Sequence, residues 1–347
     1  MKLRQFLQYF LPALIAVGLL YYAFKDIAWT DITEKFYQAD YRWIILATLF
    51  FIISNISRAY RWLLLLRPLG YFPTLGKSFL AVMVGYFINL IFPRAGEVSR
   101  SAFIQRMAGV SAPTALGTII LERIIDVLML LSIMFVAILG EYKRLEPLLL
   151  NNFLQKIQKL SSFSVIFLVV IGLVISLLSI YFIHRNATLF KTNSILGKIW
   201  TLFAKLAKGI TSIRRVENPV AFVFHTLLIW FMYFCMSYSL FFCFANTANL
   251  GIWVGFVVLV VGAMGMAAPV QGGTGAYHIL VSAAFVMYGL TQKEGLIMAT
   301  FMHTAQTLVT MLTGGACFAI SLFISHKKQP NPRVQTQTEV PNVQPIE

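Results

Sequence analysis

Charge is what this chain has least of. Of its 347 residues, 12% are Asp, Glu, Lys or Arg, and 13 are acidic. A soluble domain of ordinary make-up carries about a quarter charged residues, so that class is excluded. Cysteine is equally sparse: Cys235, Cys243 and Cys317 each sit inside an apolar run, which excludes a disulfide framework and a cysteine metal site. No zinc-protease helix motif and no nucleophile elbow occurs. Gly76, Lys77 and Ser78 end like a phosphate-binding loop, but Tyr71 stands where the earlier glycine is required and no strand precedes it. ATP hydrolysis is not expected, nor is an enzyme of any recognisable class, a cofactor or a bound metal.

What is abundant is hydrocarbon. Hydrophobic residues make up 59% of the chain and the mean hydropathy is +0.77, the composition of an all-α, multi-pass membrane protein. The net charge of +15 gathers at one set of helix ends. That fits positive-inside orientation and contact with anionic lipid, and no nucleic-acid partner is expected.

Lys2 and Arg4 precede a first apolar run, residues 6–24, that no small-x-small site follows, so it reads as an uncleaved span entering from the cytoplasm. Residues 25–40 mix acids and bases and are expected outside. A second span covers 43–66. Residues 115–139 form the next, preceded by Ser111 and Pro113. An amphipathic external segment at 141–160 leads to a returning span at 165–183. Residues 195–215 place Ile199, Leu202, Phe203, Leu206, Ile210 and Ile213 on one face, as either an interfacial helix or a basic connector that fixes orientation. Residues 220–245 cross outward, 295–324 form the last span, and the tail from 326 to 347 reads as disordered and cytoplasmic.

Two stretches break this pattern. Residues 78–92 would make a helix of about 22 Å, short of a roughly 30 Å hydrocarbon core. They run into Pro93, Arg94, Gly96 and Glu97 and then a polar helix with Arg100, Gln105 and Arg106. A re-entrant hairpin with a charged tip is expected. Residues 252–268 and 276–290, about 25 Å and 22 Å as helices, flank Pro269, Gly272, Gly273 and Gly275. They read as a second re-entrant hairpin or as two short spans. The sum is six full spans and two broken hairpins, with both termini inside. The two span–hairpin–span triplets have opposite topology, as in inverted-repeat transporters.

Ionisable side chains within spans are functional candidates. Asn55, Arg58 and Arg61, spaced by three, share a sector of about 120°. Arg58 lies about 12 Å and Asn55 about 16 Å from the inner end of the second span. Glu122 and Asp126 share one face of the 115–139 span, with Arg123 beside them. Glu122 lies about 16 Å along that helix, a depth matching Asn55 and Arg58. An ion-pair network between the helices is expected, either a phosphate-binding site helped by Arg94 and Arg100 at a helix N-terminus or a lock between spans. His303, Gln306, Thr307 and Thr310 make an inward polar stripe, and His278 is either a titrating or a simply hydrogen-bonded histidine.

These residues resemble the lysylphosphatidylglycerol synthase transmembrane family, the flippase-like module also met as UPF0104 proteins. The resemblance covers nearly the whole chain up to about Ile324. It rests on Arg58 and Arg61; on Asn89 with Pro93, Arg94, Gly96, Glu97 and Arg100; on Glu122, Arg123 and Asp126; and on Pro269 with Gly272, Gly273 and Gly275. The family's glycine motif reads Pro-Gly-Gly-x-Gly with an acidic residue three positions on; Gln271 and His278 depart from it here. The resemblance implies a flippase-like transmembrane domain over residues 1–325 in a plasma (inner) membrane of bacterial type. It implies movement of a phospholipid or polyprenyl-linked lipid between leaflets, with membrane lipids of anionic or polyprenyl-phosphate headgroup as partners. The family's C-terminal aminoacyltransferase domain is not found, so the chain is not expected to make lysyl-lipid by itself. Two other functions stay open: a membrane-embedded transferase acting on a lipid phosphate, and a non-transporting helper of a lipid-modifying cell-envelope enzyme.

Overall fold

The computed structural model describes residues 17–24, 29–92, 94–142, 144 and 216–324, and all regular structure among them is helical. Backbone polar groups in lipid have no water to bond, so only internally satisfied helices or closed barrels are stable there. Most of the first span, Pro93, the segments expected at 165–183 and 195–215, nearly all of 141–160 and the tail lie outside the described residues.

Within the segment expected outside at 25–40 runs a short helix, α1 (Trp29–Tyr37). Its inner face supplies the reason: Ile32 is buried, and Phe36 meets Phe301 edge-on at 5.1 Å. Helix α2 (Arg42–Leu66) follows, ending where Pro68 and the left-handed Gly70 stop it. Helix α3 (Leu75–Ile91) starts on a Thr74 cap. The chain turns at Phe92 to Ala95 and returns as α4 (Gly96–Ala108), closed by left-handed Gly109. Helix α5 (Ala112–Gly140) comes next. After the gap run α6 (Pro219–Ser239), then α7 (Ile252–Ala267), a glycine turn, and α8 (Ala276–Met287). The last helix, α9 (Gln292–Phe323), begins three residues before the expected Gly295 because Thr291 and Glu294 form a capping box.

Among the described residues four stretches are long and apolar enough to cross a membrane: Arg42–Leu69, Ala112–Gly140, Pro219–Cys243 and Gln292–Phe323. They correspond to four of the six expected spans. Helices α3 and α7 are shorter apolar helices, each followed by a turn and a partner that packs back on it.

The packing has a regular order. Helix α2 lies along α6; α3 packs on α9 while α7 packs on α5; α4 packs on α5 while α8 packs on α9. The α3–α4 turn is drawn tight by Asn89, whose Oδ1 accepts from the Gly96 N–H at 2.7 Å. A Cβ on Gly96 would overlap the Gly85 carbonyl and the Asn89 amide, so glycine is what lets the two legs close. The turn that follows α7 touches the end of α3, with Leu90 beside Gly272. The two turns therefore approach one another.

Candidate functional site

Arg58 and Arg61 project from α2 toward α5 and are met there by Asp126. Arg58 Nη1 donates to Asp126 Oδ2, and Arg61 Nη2 to Asp126 Oδ1, both at 2.9 Å. Arg58 also donates through Nε and Nη2 to the Tyr233 hydroxyl on α6, at 3.3 and 3.0 Å. That hydroxyl sits 3.4 Å from Tyr86 of α3. One turn before Asp126, Glu122 lies between two cations, its Oε1 3.6 Å from Arg61 and its Oε2 2.7 Å from Arg100 Nη1. The Arg61 and Glu122 side chains are completely buried. Arg123 turns to the open side, where its Nε is 3.4 Å from Glu97 of α4.

The interhelical network expected from the charges is thus present, with its partners shifted by one turn. Asp126, not Glu122, faces Arg58. Arg100 does not flank an open helix end: its guanidinium lies 3.8 Å over the ring of Trp62 and meets Glu122 through Nη1. Trp62 is fixed in turn by donating to Thr118 Oγ1 at 2.8 Å. Four guanidiniums face three carboxylates, so the cluster carries one positive charge in excess. In low dielectric that excess is unfavourable unless something compensates it.

A second group forms around the glycine turn. His303 Nε2 donates to the Gly272 carbonyl at 2.8 Å, and His278 Nδ1 accepts from the Gly275 N–H at 3.2 Å. The two imidazoles stand 4.8 Å apart, edge to face. Gly272, Gly273 and Gly275 all have positive φ, the backbone region that glycine enters without strain. Among the described residues no hydrogen bond or ion pair joins this group to the arginine cluster.

A model described as the lysylphosphatidylglycerol synthase transmembrane region matches residues 9–314. The chain belongs to this family. It is 29% identical over 116 residues to a UPF0104 membrane protein of Methanocaldococcus jannaschii, a match covering 31% of this chain and 34% of that one. The chain thus spans about a third of the length of that relative. No solved structure matches.

Within this family member the remaining expected site residues fall into distinct places. Asn55 is buried, donates to the Phe51 carbonyl and stands outside the ion network. Arg94 occupies the α3–α4 turn with a φ of 61°, exposed and without an ion pair among the described residues. Asn89 and Gly96 build the turn, Pro269 begins the glycine turn, and Pro93 lies outside the described residues. Reading the chain did not single out Tyr86, Tyr233, Thr226 or Trp62. Each is an ordinary residue of an apolar run, and nothing local marks the arginine that Trp62, Thr226 and Tyr233 meet 38 to 175 positions away, or the Tyr233 hydroxyl that Tyr86 meets. His225 on α6 was missed likewise; it bonds Ser57 of α2 through Nδ1 at 2.8 Å. A separate cleft of about 750 Å³ is lined by Glu141, Arg144, Trp253 and Tyr288. It lies at the far end of α5, about 21 Å along that helix from Asp126.

Proposed function

We propose that this protein moves a phospholipid or polyprenyl-linked lipid between membrane leaflets, holding the headgroup beside the arginine cluster while the acyl chains stay in the bilayer. The observation that carries the reading is the excess positive charge of a buried ionic cluster within apolar helices. Ionisable groups at such depth are expensive and mark pathways.

The packing order supports an inverted repeat. In it α2, the α3–α4 hairpin and α5 correspond to α6, the α7–α8 hairpin and α9: α3 on α9 is matched by α7 on α5, and α4 on α5 by α8 on α9, while the α2–α5 packing that holds the ionic cluster is particular to the first triplet. Both hairpins are then re-entrant, their turns meeting near the midplane where broken helices of transporters bind their cargo. Arg94 at one turn and the glycine backbone of Gly272 to Gly275, which has no side chains to bar a close approach, at the other face the headgroup from two sides. The family name, which refers to synthesis of an aminoacylated phospholipid, points to a lipid with a phosphate headgroup.

The test is leaflet exchange in proteoliposomes that carry fluorescent lipids, read by quenching from outside. Protein-dependent exchange of at least one phosphate-bearing lipid is expected, slowed in Arg94→Ala. Exchange no faster than in protein-free vesicles, for every lipid tried, would refute the reading.

A further inference from the structure

The inference rests on the lipid-handling reading above and concerns what kind of headgroup the cluster takes. Of the two edges by which a guanidinium can match two oxygens of an oxyanion side by side, one is formed by Nε and Nη2 and the other by Nη1 and Nη2. On Arg58 the first of these edges is filled by Tyr233, both donors reaching its hydroxyl. On Arg100 it is empty: Nε and Nη2 are both buried and neither has an acceptor. The side chain is 4% exposed as a residue, and Nη1 alone meets Glu122. Trp62 beneath the guanidinium plane fixes the direction of that edge.

A second feature points the same way. The fully enclosed part of the cluster, Arg58, Arg61 and Arg100 against Glu122 and Asp126, has one positive charge in excess. Adding the half-open pair Arg123 and Glu97, side chains 42% and 29% exposed, leaves that excess unchanged. One negative charge makes the region neutral, whereas two overshoot and restore the penalty of a net charge in low dielectric.

We propose that the empty Nε and Nη2 edge of Arg100 is the seat of a singly charged oxyanion, a phosphodiester in chemical class, and that the cluster discriminates by charge against dianionic monoesters. The phosphodiester could belong to a membrane lipid or to a small soluble ester. Because the edge is enclosed, occupation requires the α3–α4 hairpin to move, and Arg100 rides on that hairpin.

The test uses purified, delipidated full-length protein. Native mass spectrometry at pH 8 compares phosphatidylglycerol, with one charge, against phosphatidic acid, which approaches two, and against uncharged diacylglycerol. A parallel thermal-shift arm uses dimethyl phosphate, a soluble singly charged diester. Wild type is expected to prefer phosphatidylglycerol over phosphatidic acid by about tenfold, the worth of one charge-assisted contact. Arg100→Lys keeps the charge and its pairing with Glu122 but lacks the edge, and phosphatidylglycerol binding should fall about tenfold. Glu97→Gln, at a half-open position, raises the excess to two and should move the preference toward phosphatidic acid. Stabilisation by dimethyl phosphate as strong as by the lipid supports the seat and assigns it to a soluble ester. Equal binding by wild type and Arg100→Lys, or a preference untouched by Glu97→Gln, overturns the proposal. Leaflet exchange that persists alongside that outcome leaves translocation standing with its seat elsewhere. Charge-selective binding without any exchange keeps the seat and removes translocation.

Discussion

The guanidinium of Arg100 lies 3.8 Å above the ring of Trp62, and these two residues join the α3–α4 hairpin to α2. Stacked this way, Arg100 gives up hydration on one face and meets Glu122 by a single nitrogen. Arg58 and Arg61 of α2 are better satisfied, and the difference shapes what each substitution should do.

Asp126 holds both Arg58 and Arg61. Asp126→Asn keeps the shape but leaves two buried cations sharing the remaining carboxylate. Removing one partner of a buried pair destabilises by about 3–5 kcal/mol. A melt in detergent should show a large fall in Tm or loss of folded protein. A Tm within two degrees of wild type would show that water, and not Asp126, compensates these arginines.

Arg94 is the one non-glycine residue with positive φ among those described. Arg94→Gly relieves about 1–2 kcal/mol of backbone strain and returns about 0.5–1 kcal/mol through chain entropy. Stability should hold or rise slightly while lipid exchange falls several-fold. A clear drop in Tm would mean that the Arg94 side chain supports the turn by packing.

Gly96→Ala puts a Cβ into the Gly85 carbonyl and the Asn89 amide. Overpacking of this kind costs about 1–3 kcal/mol, and the hairpin should open to protease at the turn. Gly76→Ala, near the start of α3 with nothing within 4 Å of the added carbon, should be neutral or stabilising. Equal behaviour of the two would contradict the close approach of α3 and α4.

His303→Phe removes the donor to the Gly272 carbonyl. An orphaned half-buried carbonyl costs up to about 1 kcal/mol, and it should appear as faster amide hydrogen exchange confined to residues 272–275. His303→Gln, which can still donate, should recover part of the protection. Uniform exchange across α8 and α9 would instead mean that His303 matters for helix packing as a whole.

The chain's own order of residues determined a good deal of this. Long apolar runs at 43–66, 115–139 and 220–245 placed α2, α5 and α6 to within a few residues, because the length of a hydrophobic run and its interruption by polar residues are local properties. The breaks at Arg94 and at Gly272 to Gly275 were visible for the same reason, as was the convergence of arginines and acids at similar depth on α2 and α5. Tertiary structure alone decided which charge meets which. A slide of one helix along the other by about one turn, roughly 5.4 Å, exchanges Glu122 for Asp126 opposite Arg58, and no spacing along a single helix records that slide. It also decided that Arg100 is stacked on Trp62 and enclosed, that Tyr233 reaches Arg58 from 175 residues away, and that α1 packs on Phe301. Coulomb and contact energies depend on separations of a few ångströms between helices. Those separations are set by how all the side chains between them pack.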